Sequence, residues 1–451
     1  MLRKFRELKA IICMNRNMIG VAAATAVGLG AIIGAGIFTL SGTAIALAGV
    51  WSLFSFILVG FVAIVIALEI GELCSIFPNA NGASYSYVFE AFGSELGFIT
   101  GLLLFFSFAS AISVVALGFG AYLSTLLGIS PDAYGSVLAI VIIAVLSAFN
   151  LQGIRKAARA DFGLVVIKIG ILIALIAFAA IYSLRNHTFH NISSAAPPAS
   201  GYTAIFSASV VIFFAYSGFQ TISTFASDVK GGARSAALAI LAAVAISMVL
   251  YVLVDVALML LVPVNAFVIN ADPLAFALTA AHAPSYLSIA VAVGGVIATA
   301  SATLALILSS SRILHQISMD GLLPKILRSY NADRDVARNC VLISATIAVV
   351  MLFSGGIYVM AAISNFGLLF SYLMAGFALI HFRRHGRAGS FRVPMYPYLP
   401  ILAIFVLLSF ILGLPKEALV LGIIMTIGFL MIYYFLKEVE EKDPVKIRLF
   451  E

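Results

Sequence analysis

The chain has little charge. Of its 451 residues only 10% are Asp, Glu, Lys or Arg, while 63% are hydrophobic and the mean hydropathy is +1.14. That balance excludes a soluble globular protein and indicates a polytopic membrane protein. Cysteine is also scarce: Cys13, Cys74 and Cys340 are scattered without a CxxC pair, so neither a zinc site nor a disulfide framework is expected. The six histidines, His187, His190, His282, His315, His381 and His385, fall in loops or at span ends, which leaves no histidine relay or metal cluster in the membrane core. The net charge of +7 comes without a basic stripe interleaved with aromatics, so nucleic acid is not an expected partner. No nucleophile and base pair, carboxylate dyad or ligand cluster stands in the apolar runs, and an enzyme is not expected. The basic N-terminus lacks a short apolar core followed by a small-residue cleavage site, so the first run reads as an uncleaved span.

What the chain does have is long apolar runs, at 17–48, 50–73, 94–126, 134–150, 162–184, 201–227, 236–262, 286–311, 339–361, 363–382, 398–413 and 418–436. Twelve such runs predict an all-α protein of twelve transmembrane helices, with residues 1–16 and 437–451 as tails on one side. In this arrangement 23 of the 26 Lys and Arg residues share one side. Arg185 and Lys416 fall on the other, and Lys168 lies inside a span. The positive-inside rule then places both termini in the cytoplasm of a multi-pass protein, and the plasma membrane is the expected location.

The first run contains Gly28-Leu29-Gly30-Ala31-Ile32-Ile33-Gly34-Ala35-Gly36-Ile37-Phe38 near its middle. Each glycine weakens a helix by about 1 kcal/mol relative to Ala. Gly34 and Gly36 around Ala35 therefore read as a break at membrane depth, tolerable only where the freed backbone groups meet protein, water or a ligand. Gly30 and Gly34 are also four apart, the spacing of a smooth face for close helix packing, and both readings stand at this point.

The sixth run carries a matching interruption, Phe213-Phe214-Ala215-Tyr216-Ser217-Gly218-Phe219-Gln220-Thr221. Interrupted spans at corresponding places in two halves are the mark of an inverted-repeat transporter. Runs 1 to 5 (17–184) would form one repeat and runs 6 to 10 (201–382) the other, with 398–436 adding two helices. A half-helix starting near Ala35 offers N–H groups and a partial positive charge to a carboxylate. Carbonyls freed near Ile33, Ala215 and Tyr216 suit an ammonium group. Together these describe an α-amino acid site. A hydroxyl-rich packing helix, with Tyr216 as an ordinary core aromatic, is the other reading of run 6.

GLGAIIGAGIF in run 1, ALEIGEL ending run 2, FPNANGASYSY after it, FFAYSGFQTISTFASDVK in run 6, SSSRILHQISMDGLLP after run 8 and FRVPMYPYLP before run 11 together resemble the amino acid-polyamine-organocation superfamily, most closely its cationic amino acid transporter branch. The resemblance runs in register over nearly the whole chain. It implies a LeuT-like five-plus-five inverted repeat with broken helices 1 and 6, two additional C-terminal helices, and secondary transport of amino acids or related amines by proton symport or exchange. It further implies that Ile33, Gly34, Ala35 and Gly36 bind the substrate carboxylate and that Phe214, Ala215, Tyr216, Ser217 and Gly218 contact its amino group. Neutral Gln220 stands where the cationic branch commonly has an acid, which argues for a neutral or broad substrate range.

Lys168 is the one cation within a run. On physics alone it either snorkels to the inner headgroups or serves function. The resemblance implies that it takes the place of sodium in sodium-coupled relatives and carries the coupled proton, so no cofactor and no sodium dependence are expected. Of the acids within runs, Glu69 is expected to snorkel or cap the inner end of run 2, and Asp255 to face a wet vestibule.

Overall fold

A computed structural model describes residues 20–77, 83–152, 157–193, 201–219, 222, 229–331, 334 and 336–442. The tail at 1–16, most of the tail at 437–451, Cys13 and Gln220 lie outside the described residues. Among those described the ordered elements are helices, with an isolated β-bridge between Asn331 and Val336.

The helices are α1 Val21–Ile32, α2 Ala35–Ala48, α3 Ser52–Ile76, α4 Ser84–Phe92, α5 Ser94–Leu127, α6 Pro131–Gln152, α7 Ala157–Asn186, α8 Tyr202–Tyr216, α9 Gly232–Leu261, α10 Pro273–Ala280, α11 Ser285–Met319, α12 Arg338–Met351, α13 Ile357–Arg384, α14 Tyr398–Leu412 and α15 Lys416–Lys442. Each of the twelve apolar runs falls on one or two of them. Among the described residues nine helical stretches are long and apolar enough to cross a membrane, and Val21–Ile32, Arg338–Met351 and Tyr398–Leu412 are shorter apolar helices.

Position in the bundle follows from which faces are apolar. The long helix α5 is buried over most of its length and packs against α11, α13 and α6. Its left-handed C-cap, Gly128 at φ 70°, ends it. By contrast α6 exposes Val137, Val141, Val145 and Phe149, four residues apart along one face. Water would penalise that stripe by about 25 cal/mol per Å², whereas lipid accepts it.

Two boundaries and two short helices differ from the sequence-based expectation. The run at 339–361 ends early, because Ser354, Gly355 and Gly356 make the turn and α13 begins at Ile357. Gly355 takes φ 147°, a conformation that L side chains rarely adopt. The eighth run continues through Arg312 to Met319, since no helix breaker precedes Gly321. Two short helices, α4 and α10, lie in segments that the apolar pattern leaves as loops.

On the side rich in Lys and Arg, the loops are pinned to helix ends. Glu72, fully buried at the end of α3, takes both nitrogens of the Arg383 fork, Nε at 2.6 Å and Nη2 at 2.7 Å. It also accepts the Val393 N–H at 2.6 Å. Ser75 exchanges hydrogen bonds with the backbone of Phe391 in the same loop. The Tyr85 hydroxyl of α4 donates to Asp320 at 2.7 Å, which fixes α4 to the end of α11. Burial, followed by its bond to the Asp320 carboxylate, pushes the Tyr85 hydroxyl pKa well above its ordinary value. The motifs ALEIGEL, SYSY, MDGLLP and FRVP therefore meet in a structural clasp.

Candidate functional site

The first apolar run stops being helical at Ile33 and Gly34. Ile33 sits at φ −75°, ψ 64° and Gly34 at φ −110°, ψ −133°, and α2 restarts at Ala35 with no side chain capping its N-terminus. The last amides of α1 are used locally: Ile33 N–H donates to Leu29 O at 2.6 Å and Gly34 N–H to Ile32 O at 2.8 Å. The first N–H groups of α2 have no intrahelical acceptor, as at any helix start.

The glycines serve close approach. A Cβ at Gly36 would stand 2.3 Å from Ala215 Cα, and one at Gly218 would stand 2.2 Å from the Ala31 carbonyl oxygen. Both clashes are with backbone, so α2 lies directly against α8, and residues 217–219 lie on the last turn of α1. At Gly34 a Cβ would be 2.8 Å from the Cβ of Ala302 on α11. Gly28 keeps a packing role, against Ile222 and Ala243.

Tyr251 joins the two interruptions. Its buried hydroxyl on α9 lies 2.6 Å from the Ile32 carbonyl and 3.1 Å from the Ala215 carbonyl. One phenolic proton is shared between the two carbonyls, of which Ile32 O also accepts the Gly34 N–H. Sequence reasoning missed this residue, since a tyrosine within an apolar run reads as an ordinary core aromatic.

A cavity opens at this meeting point. It is lined by Gly36, Phe214, Ala215, Ser217 and Gly218, all expected from sequence, and by Ala31 and Ile32 at the end of α1. The remaining wall comes from Phe108 and Val115 on α5 and from Ala302, Ala305, Leu306 and Ser309 on α11. These six escaped sequence reasoning because rotation about a buried helix axis leaves no periodic signal in a run that is apolar all round. Room for the centres of water-sized molecules amounts to about 40 Å³, enough for a few waters. No Asp, Glu, Lys or Arg lines it among the described residues.

Ile33, Gly34 and Ala35 form the adjoining backbone and are not in the wall. Tyr216 turns away from the cavity. Its hydroxyl donates to Phe56 O at 3.1 Å, and its ring meets Tyr251 edge to face with centroids 5.1 Å apart.

Lys168 is wholly buried, which overturns the snorkelling reading. Its Nζ donates to the Gly30 carbonyl at 3.3 Å and to Ser301 Oγ. The lysine thus ties α7 to the last turn of α1 and to α11, next to the interruption. A buried ammonium without such acceptors would cost several kcal/mol.

Both acids depart from expectation. Glu69 is 1% exposed, with neither carboxylate oxygen hydrogen-bonded among the described residues, so it neither snorkels nor caps. Asp255 is fully buried and accepts a hydrogen bond from Ser52 at 2.6 Å, so it faces no wet vestibule. Depth along a helix can be counted from sequence, but the direction a side chain faces cannot.

An all-helical bundle with long apolar spans and an interrupted helix beside a small cavity defines a multi-pass membrane transporter. The chain belongs to the amino acid permease family, whose model matches residues 24–436. It is similar to the methylthioribose transporter of Bacillus subtilis, 29% identical over 410 residues that cover 87% of each chain. It also resembles the branched-chain amino acid permease BcaP of Lactococcus lactis, 29% identical over 416 residues covering 87% of this chain and 88% of the relative. The inner membrane transport protein YbaT of Escherichia coli is 31% identical over 405 residues, covering 88% and 89% respectively. Among solved structures, a mutant manganese transporter from Eremococcus coleocola shares the fold, with a TM-score of 0.61 at 16% identity over 95% of this chain and 96% of that one.

Proposed function

We propose that the chain is a secondary active transporter of L-amino acids with neutral side chains, working by alternating access. The observation that carries this reading is the uncapped start of α2 beside an apolar cavity that is also lined by Ile32 and Ala215, whose carbonyls meet Tyr251. The free N–H groups at the start of α2, from Ala35 and Gly36, receive the carboxylate, and Ile33 and Gly34, whose own amides are used locally, make the turn that presents them. Carbonyls of the Phe214-Ala215-Tyr216-Ser217-Gly218 segment receive the ammonium, with Gln220 close by in sequence. The absence of charged side chains among the described lining residues favours an aliphatic cargo over a lysine or arginine, which would want a paired carboxylate.

The wider reading is a twelve-span LeuT-like protein of the plasma membrane. It has repeats at 17–184 and 201–382 and two further helices over 398–436, with both termini cytoplasmic. Lys168 loads and releases the coupled proton, and sodium is not required. When neutral, its amine keeps two N–H groups but loses the charge that strengthens its bonds to Gly30 O and Ser301 Oγ, which loosens α1 from α11.

Uptake into proteoliposomes under an imposed pH gradient tests this, using labelled isoleucine, lysine and methylthioribose in parallel. Saturable, proton-driven isoleucine accumulation that Lys168→Ala loses while still binding isoleucine is the expected result. Intact pH-driven uptake in that variant would refute the role of Lys168, and preference for lysine would refute the neutral pocket. A second reading, amino acid exchange, is favoured by the two acceptors that already hold Lys168, an arrangement suited to a permanently charged tether. Trans-stimulated counterflow without a pH requirement would select it. Saturability in either case sets aside a channel.

A further inference from the structure

We propose that Asp255 is a second proton-binding group, distinct from Lys168, whose protonation is coupled to the cavity through Tyr216 and Tyr251. This rests on the reading of that cavity as the substrate site.

Asp255 and Tyr251 lie four residues apart on α9 and therefore share a face. Opposite them on α3, Ser52 and Phe56 have the same spacing. The two helices pack together, and their side chains form a ladder. Ser52 Oγ donates to Asp255 Oδ2 at 2.6 Å. One turn along, the Phe56 ring meets Tyr251 edge to face at 6.2 Å, while the Phe56 carbonyl accepts the Tyr216 hydroxyl at 3.1 Å. Tyr216 stacks edge to face on Tyr251, whose hydroxyl ends the ladder at the Ile32 and Ala215 carbonyls. An event at Asp255 is thus one helical turn from the residue that joins the two interruptions.

The carboxyl group itself is poorly provided for as an anion. It is fully buried, Oδ1 has no hydrogen-bond partner among the described residues, and Ser52 supplies one donor. The titratable groups described on elements packed against α9 are Tyr202 and Tyr216 on α8, Glu69, Glu72 and Cys74 towards the far end of α3, Lys168, Tyr182 and Arg185 on α7, His190 in the short helix His190–Ser193 after α7, and Asp272 preceding α10. No Lys, Arg or His among the described residues forms an ion pair with Asp255. A buried unpaired carboxylate costs several kcal/mol, which binding one proton removes. In the acid form the carboxyl can donate to Ser52 Oγ, leaving the other oxygen as a weak, carbonyl-like acceptor. The proton comes from water admitted when the Ser52 ends of α3 and α9 separate, and it returns there. No other reactant is needed.

The test uses full-length protein in lipid nanodiscs, with infrared difference spectra and isoleucine affinity followed between about pH 5 and 9. Wild type is expected to show a protonated-carboxyl band that Asp255→Asn lacks. Adding isoleucine should move the midpoint of that band. Reciprocally, isoleucine affinity should change by up to about tenfold per pH unit across the titration in wild type and stay flat in Asp255→Asn. Ser52→Ala, which removes the donor and leaves the acid, should shift the midpoint. It decides the matter should Asp255→Asn fail to fold, because an unmoved midpoint overturns the proposal. A wild-type band and pH profile in Asp255→Asn also overturn it. Isoleucine binding that leaves the band unmoved defeats the coupling alone, whereas no amino acid binding at all defeats the substrate reading, and the band still reports whether Asp255 titrates.

Discussion

Gly36 lies so close to Ala215 that a methyl group on the glycine would stand 2.3 Å from the alanine Cα. The two helices therefore touch backbone to backbone, and neither can yield by a rotamer change.

Gly36→Ala is accordingly expected to cost about 1 to 3 kcal/mol of stability through overpacking and to lower uptake at least tenfold. Gly28→Ala is the matched control. Its added carbon would meet Ile222 Cδ1 at 2.3 Å, the far end of a flexible side chain that can move away. Thermal unfolding in detergent together with proteoliposome uptake checks the pair; equal effects in the two variants would contradict the backbone-contact account.

Tyr251→Phe keeps the ring and removes the shared proton. The Ile32 carbonyl keeps the Gly34 N–H, whereas the Ala215 carbonyl loses the Tyr251 hydroxyl, at about 1 to 3 kcal/mol for a group left unsatisfied. Because the missing bond lies at the interruption, the loss should appear in substrate affinity as well as in Tm. Full affinity in a correctly folded Tyr251→Phe protein, measured by isothermal calorimetry, would show that the bridge is dispensable.

How much of the site is legible in the sequence differs by residue. Gly34-Ala35-Gly36 and Ser217-Gly218 announce themselves, because residues that weaken a helix are costly in a membrane run unless the chain has to break there. Lys168 stands out by its charge. Tyr251 could not be foreseen. Its partners lie 219 and 36 positions away in sequence, and nothing local distinguishes it from Tyr216, which sits within the interruption and yet turns away. The cavity wall on α5 and α11 was equally hidden, since those helices are apolar or small on every face. Membership of the bundle was readable, but rotation within it was not.

Glu69 is a buried acid whose two oxygens have no hydrogen-bond partner among the described residues, facing Gly376, where an added Cβ would lie 3.3 Å from Oε2. Glu69→Met replaces it with an apolar chain of similar length and should stabilise the protein by about 1 to 3 kcal/mol. Scanning fluorimetry in detergent measures this directly. A fall in Tm of similar size would mean that the carboxyl group is satisfied in the membrane and contributes to stability.

The Glu72 and Arg383 pair makes the opposite case. Removing Arg383 leaves the buried Glu72 carboxylate uncompensated, and Arg383→Ala should destabilise the protein by about 3 to 5 kcal/mol, whereas Glu72→Gln leaves a partly exposed guanidinium that water can reach and should cost less. The exchange Glu72→Arg with Arg383→Glu should not restore stability, because the Val393 N–H would then face a guanidinium in place of the carboxylate it donates to at 2.6 Å. Recovery of the wild-type Tm in the double variant would reduce the contact to simple charge attraction.

That carboxylate has a mechanical consequence as well. By gripping a side chain on α13 and an amide in the segment leading to α14, Glu72 makes residues 385–397 a cross-brace between three helix ends. Bending at this end of α3 is then passed to α13 and α14 as by a rigid lever, without being absorbed in a compliant loop.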